Sequence, residues 1–172
     1  LGNVIAGLEF KGVKKSEAIE KGRHWLRRVG LAGFEDSYPH HLSGGMRKRV
    51  SMAQTLIMDP DIILMDESFS ALDIQTRQLM ENLLLDLWSG EKKAVLFITH
   101  DLDEAISMSD RVIVMSAGPA SHPIGEFLID LPRPRDVTEV RGDPRFVSLH
   151  RSIWNVLREE VLKGYENQMQ RK

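Results

Sequence analysis

The stretch HLSGGMRKRV, His41–Val50, places Ser43, Gly44 and Gly45 directly ahead of Met46 and three cations, Arg47, Lys48 and Arg49. Small residues leading into a basic helix suit an anion, because the first backbone N–H groups of a helix have no intrahelical acceptor. Taken alone, the stretch reads as a surface turn ahead of a solvated basic helix. DIILMDES is a short apolar run closed by Asp66 and Glu67. Ligands of open α/β sheets gather outside the carboxyl ends of the strands. One carboxylate there suits Mg²⁺ on a nucleotide phosphate, and its neighbour can orient or deprotonate a water; taken alone, the pair equally suits capping the next turn. AVLFITH ends in Thr99 and His100. Parallel strands end together, so His100 is expected to share a cleft with Asp66 and Glu67, and that convergence favours function.

Composition narrows the classes. The chain has 172 residues, 42% hydrophobic and 28% charged, with a net charge of −2, which suits a globular domain with a real core. A general nucleic-acid binder would be distinctly basic, so none is expected as a partner. Cysteine is absent, which excludes disulfides and thiolate metal sites. The six histidines show no zinc-binding spacing. No apolar run is long enough to span a bilayer, and the opening LGNVIAGLEF does not read as a signal peptide.

Periodicity supplies the elements that must position these groups. KSEAIEKGRHWLRRVGL reads as a helix with Ser16 as cap, Ala18, Gly22, Trp25, Leu26 and Val29 on one face, and Gly30 at its end. A second helix runs from about Gly45 to Met58, with Val50, Ala53, Gln54 and Ile57 on one face, and Asp59-Pro60 stops it. DIILMD reads as a strand covered on both faces; a helix with Asp73 as N-cap and Gly90 beyond its end follows it. AVLFITH, DLDEAISMS and RVIVMS continue as strand, helix and strand, which calls for a parallel sheet with crossover helices. PIGEFLIDL suits an antiparallel edge strand, and LPRPRDVTEVRG an extended linker. The last helix starts at Asp143-Pro144, with Phe146, Leu149, Ile153, Val156, Leu157 and Val161 on one stripe.

Together these stretches resemble the ATPases of ABC transporters. LSGGM (Leu42–Met46) looks like their signature motif, IILMDE (Ile62–Glu67) like the Walker B strand and SALD (Ser70–Asp73) like the D-loop, while His100 falls at the switch histidine. Four motifs in order over about 60 residues make a specific pattern. The resemblance implies an α/β fold with a parallel-sheet P-loop NTPase-type core and a helical signature subdomain. It divides the chain into residues 1–58 with the helical subdomain, 59–118 with the catalytic core, and 119–172 with a strand, linker and helix. Two such domains would face each other head to tail, the signature loop of one closing on the ATP held by the other. The implied cofactors are ATP and Mg²⁺. Asp66 would hold the metal through water, Glu67 the attacking water and His100 the γ-phosphate. Ser43, Gly44 and Gly45 would bind the opposite ATP, and Asp73 would communicate across the dimer. Arg47, Lys48 and Arg49 would add positive field, with a solvated face the expected role of at least two.

The phosphate loop G-x-x-x-x-G-K-[ST] does not appear. GLEFKGVKKS, Gly7–Ser16, has two glycines at the right separation, but Val13 stands at the lysine position. The expectation is therefore the C-terminal part of a longer domain. Ser68 and Lys48 stand where the family usually has proline and glutamine, and neither position touches phosphate. NVIAGLEFKGV and GEFLIDLPRPRDVTEVRGDPRF resemble importer ATPases for nitrate, sulfonate, taurine and related solutes. That implies a subunit bound to a transmembrane permease at the cytoplasmic face of the inner membrane. An ABC ATPase acting on DNA or ribosomes is the alternative, and it fits poorly with the short connection between the first helix and the signature. A regulatory module without hydrolysis is the third reading, suggested by the missing loop.

Overall fold

The computed structural model describes residues 1–90 and 93–169. The chain folds as two compact units, Leu1–Ile98 and Thr99–Lys172.

The first unit opens with three packed helices, α1 (Gly2–Phe10), α2 (Lys15–Arg28) and α3 (Gly44–Leu56). Each buries a short stripe: Val4, Ile5 and Leu8 on α1, Ala18, Gly22 and Leu26 on α2, and Met52, Ala53 and Leu56 on α3. The sequence pattern did not announce α1, which has no capping side chain. Ser16 does not cap α2 but lies in its first turn, where Glu17 pairs with Lys21 at 2.8 Å. The turn ahead of it accompanies the shift: Val13 N–H closes α1 on the Leu8 carbonyl at 3.0 Å, Gly12 turns at φ +78°, and the cap position falls on Lys14, two residues before Ser16. Gly30, at φ +68°, ends α2 as expected, with Leu31 N–H bonded to the Leu26 carbonyl at 2.8 Å.

Two glycines let these helices approach closely. A Cβ on Gly7 would lie 2.5 Å from Met58 Sδ. Gly7 is thus a helix-packing residue within α1, so GLEFKGVKKS does not form a loop around phosphate. A Cβ on Gly22 would overlap Ile5 Cγ2 and fall 2.7 Å from Leu1 Cδ1.

Strands β1 (Ile62–Asp66) and β2 (Ala94–Ile98) pair in parallel, from Ile62 opposite Ala94 to Asp66 opposite Ile98. The crossover helix α4 (Ile74–Gly90) lies between them in the chain, with Gly90 as its last residue rather than beyond it. Burial is one-sided, contrary to the expectation of a strand covered on both faces. Ile63 and Met65 are buried, whereas Ile62, Leu64, Leu96 and Ile98 are 62%, 71%, 61% and 55% exposed. Nothing among the described residues covers that face of the sheet.

The second unit holds α5 (Leu102–Met108), β3 (Arg111–Met115), β4 (Pro123–Leu128) and α6 (Pro144–Met169). β3 does not extend the parallel sheet. It pairs antiparallel with β4, Arg111 opposite Leu128, because the short link between them suits a hairpin and not a crossover. Ile106, Val114, Ile129, Leu131, Phe146 and Ile153 form the core of this unit. Asp143 caps α6 through Arg145 N–H at 2.8 Å, and Pro144 is its first residue. Val161 departs from the expected stripe and is 46% exposed. The inward position falls one residue earlier, where the Glu160 carboxylate accepts a hydrogen bond from Ala117 N–H at 3.0 Å.

The segment read as a linker contains a structural anchor. Arg135 is buried, and its guanidinium donates to the carbonyls of Ser109 at 2.6 Å, Leu131 at 2.9 Å and Ile129 at 3.2 Å. Desolvation, then the charge of Arg133, lowers its pKa, opposed by Asp110.

Gly22→Ala separates close packing from helix propensity. Alanine gains about 1 kcal/mol of propensity over glycine. Overpacking against the stiff, β-branched Ile5 costs typically about 1–3 kcal/mol. A net loss of stability in urea unfolding is the expected outcome.

Candidate functional site

Ser43 adopts extended dihedrals, φ −62° and ψ 165°, and caps α3, its Oγ accepting from Met46 N–H at 3.2 Å. That bond uses a lone pair and leaves the hydroxyl proton to donate. The N–H groups of Gly44 and Gly45 lie in the first turn, where no intrahelical carbonyl reaches them. Ser43 and Gly44 are exposed, and the space beside the Gly44 Cα is open to 4 Å. Buried Leu42 anchors the entry from behind. One hydroxyl proton and the first-turn amides therefore lack an intrahelical acceptor at the positive end of a 13-residue helix, which suits a phosphate oxyanion.

The three cations behind this entry differ in what they touch, with Arg47 exposed and Lys48 and Arg49 half-buried. Arg47 turns back, Nη1 donating to the Leu42 carbonyl at 2.9 Å. Arg49 Nη1 donates to the Val29 and Gly30 carbonyls at 3.0 and 3.1 Å, satisfying the end of α2. Lys48 lines a cleft between α3 and β1 with Ser51, Met52, Met65 and Ser68. Nothing in the sequence distinguished these three roles, since each depends on which neighbour the helix face meets.

Asp66 and Glu67 are exposed at the carboxyl end of β1. Glu67 N–H extends the ladder to the Ile98 carbonyl at 2.9 Å, and its own backbone turns into the left-handed region at φ 42°. A non-glycine residue held there is strained, and such strain concentrates where function needs it. The Glu67 carbonyl accepts from Ser70 Oγ at 2.9 Å, and Leu72 N–H bonds the Phe69 carbonyl at 3.0 Å. Phe69 is fully buried, edge to face with Phe97 at 5.6 Å. These turns lead to Asp73, whose Oδ1 caps α4 through Thr76 N–H at 2.9 Å. The Thr76 backbone bond, then its side-chain bond, hold the Asp73 carboxyl below its ordinary pKa, with a smaller contribution from the Arg49 charge.

Gly45 brings the signature segment and the loop before α4 together. A Cβ on it would lie 3.4 Å from Leu72 Cδ2 and 3.7 Å from the Ala71 carbonyl. Ser43–Gly45, Asp66, Glu67 and Asp73 therefore all lie in the first unit, along two connected segments. His100 belongs to the second unit, two residues after Ile98. Its loop is fixed locally: Thr99 Oγ1 accepts from Asp101 N–H at 3.0 Å and donates to Glu104 Oε2 at 2.7 Å. Asp101 then caps α5 through Asp103 N–H at 2.9 Å.

Among the described residues no three side chains gather into a self-sufficient metal site. Mg²⁺ needs less, since one or two carboxylates suffice when substrate phosphates and water complete the octahedron. An exposed Asp66 at a strand end fits that requirement. Among the described residues no helix is long and apolar enough to cross a membrane.

Comparison with known proteins defines the class. Residues 6–70 match the family model of the ABC transporter. An uncharacterized ABC transporter ATP-binding protein, MJ0412 of Methanocaldococcus jannaschii, is 51% identical over 95% of this chain and 60% of its own length. The taurine import ATP-binding protein TauB of Rhizobium johnstonii is 41% identical over 90% of this chain and 60% of its own length. Among solved structures, the dimeric ABC transporter cassette MJ0796 superposes with a TM-score of 0.60 at 32% identity, over 64% of this chain and 49% of that one. A second structure of that cassette, described as a post-hydrolysis state bound to ADP and Pi, gives a TM-score of 0.55. The chain belongs to the ABC transporter ATP-binding family. It spans about 60% of the length of these curated relatives.

Two outcomes follow from the site geometry. With Gly7 inside a helix and no lysine-bearing phosphate loop, the 172-residue chain should show no micromolar MgATP binding by titration calorimetry. Because its folded pKa is depressed, Asp73 stabilises α4 fully above the unfolded value, and that stability is lost as pH falls through the lower folded value. The Thr76 amide resonance should therefore titrate below the ordinary carboxyl pKa of 3.8, and a midpoint at or above it would remove the cap.

Proposed function

We propose that this chain is part of the ATP-hydrolysing subunit of an importer, coupling ATP turnover to uptake of a small solute through a membrane permease. The taurine importer among its relatives and the flanking segments support a solute of the nitrate, sulfonate or taurine kind. The subunit would pair head to tail with a second nucleotide-binding subunit, a reading supported by the dimeric cassette. It would sit at the cytoplasmic face of the membrane, held by the permease.

The observation that carries the reading is the entry of α3. One hydroxyl proton and two first-turn amides have no intrahelical acceptor, and the space at Gly44 is open, so a phosphate on a facing subunit can approach the backbone. Such preorganised donors stabilise charge on a transferring phosphoryl group without reorganising. Glu67 accepts the proton of the attacking water at the end of β1. Asp66 would hold Mg²⁺ through water, and the ion would neutralise phosphate charge. His100 donates to the γ-phosphate. Asp73 reaches across the dimer from the start of α4.

Within a subunit that supplies the phosphate loop, Glu67→Gln should leave ATP binding intact and lower turnover by about 10²–10⁴, the usual share of general-base catalysis. Near-normal turnover would take Glu67 out of this role. The signature segment is better tested at Gly44 than at Gly45, because a side chain at Gly44 touches nothing in its own chain. Gly44→Val should keep monomer ATP affinity and abolish hydrolysis in the homodimer. Paired with a subunit lacking the phosphate-loop lysine, it should retain one working site, since both defects then fall on the other. Loss of ATP affinity in the isolated Gly44→Val monomer would show that the segment acts on its own chain's nucleotide.

A further inference from the structure

We propose that Leu72 and Arg49 are positioning residues that make α3 a strut, locking the signature entry to the start of α4 and to the end of α2. At one end, Leu72 is buried, and its Cδ2 occupies the space a Gly45 side chain would approach at 3.4 Å. Its backbone is held from both sides, N–H on the Phe69 carbonyl at 3.0 Å and carbonyl on Arg77 Nη2 at 3.5 Å. Leu72 cannot move without taking Asp73, the next residue, with it. One turn further along α3, one nitrogen of Arg49 bridges the Val29 and Gly30 carbonyls, just past the end of α2. Gly30 provides room for that bridge, since a Cβ there would meet Arg49 Nη1 at 3.0 Å. The charge of Arg49 also acts favourably on ionised Asp73.

The consequence is mechanical. Ser43 and Asp73 sit at the entries of two different helices, each capping its own, and Leu72 against Gly45 joins those entries. A displacement of α2 reaches both caps through Arg49 and α3, because packed contacts of this kind transmit small shifts instead of absorbing them. The functional value rests on the reading that Ser43–Gly45 and Asp73 face nucleotide. The coupling itself does not, and it is measured without nucleotide.

The test uses the 172-residue chain and two reporters, the Met46 amide held by Ser43 and the Thr76 amide held by Asp73. Asp73→Ala releases Thr76 directly. It should also speed hydrogen exchange at Met46 by about fivefold or more, the size of a coupling between contacting groups. In a Leu72→Ala background that remote effect should vanish. Leu72→Met, which conserves volume, should preserve it and serves if Leu72→Ala does not fold. Arg49→Met should speed exchange at both Leu31, in the α2 cap, and Met46. Arg49→Lys should restore Met46 only in part, since a point charge replaces a fork. Two results overturn the proposal: a Met46 response to Asp73→Ala that persists unchanged without Leu72, or no response at all. Neither bears on whether the assembled subunit hydrolyses ATP, so the two readings fail separately.

Discussion

The hydrogen bond from Glu67 N–H to the Ile98 carbonyl fixes where the sheet stops and the loop toward α4 begins. It carries the β1–β2 ladder one residue past Asp66, and the chain must then turn away at once. Glu67 accommodates that turn in the left-handed region. The turns that follow, from Glu67 to Ser70 and from Phe69 to Leu72, deliver Asp73 to the start of α4. Shifting the ladder by one residue would move every inward side chain to the other face. Ile63 and Met65 would leave the core, and both acidic residues would change place with apolar ones. The placement of both carboxylates is thus pinned by the register of two strands.

How far the sequence announced this architecture differs from element to element. The acidic strand end, the small-residue helix entry and the Asp73 and Asp143 caps were legible because each is a local device with a local signature. Gly30 was legible for the same reason. Contacts between distant segments were not. Arg49 looks like any cation on a basic helix until α2 supplies two carbonyls. Arg135 lies in a proline-rich stretch, yet it is among the most heavily hydrogen-bonded side chains of its unit. The partner of β3 was misjudged because an apolar strand pattern states burial and not direction. Burial of Ile62 and Leu64 was misjudged because that pattern assumes a cover which the described residues do not provide.

The second unit is organised around a different economy. Its core is small and is closed by α6 on one side and by the Arg135 carbonyl bonds on the other. Buried arginine is costly unless its donors are satisfied, and here the backbone satisfies them. Thr99, Asp101 and Glu104 do the same work on a smaller scale around His100. Both arrangements use polar side chains to hold irregular backbone. Loop backbone needs that, because helix or strand pairing is not available to it.

The bare face of the two-stranded sheet governs how the molecule behaves as a colloid. Ile62, Leu64, Leu96 and Ile98 are all more than half exposed, and the strand pairing makes them neighbours. Asp66 stands at one end of this aliphatic patch, and the chain's net charge of −2 offers little long-range protection. Two such surfaces meeting in solution would each lose their ordered water, and kosmotropic salts would strengthen that meeting. A lysine at Leu64 would place a charge in the middle of that patch and weaken such a meeting.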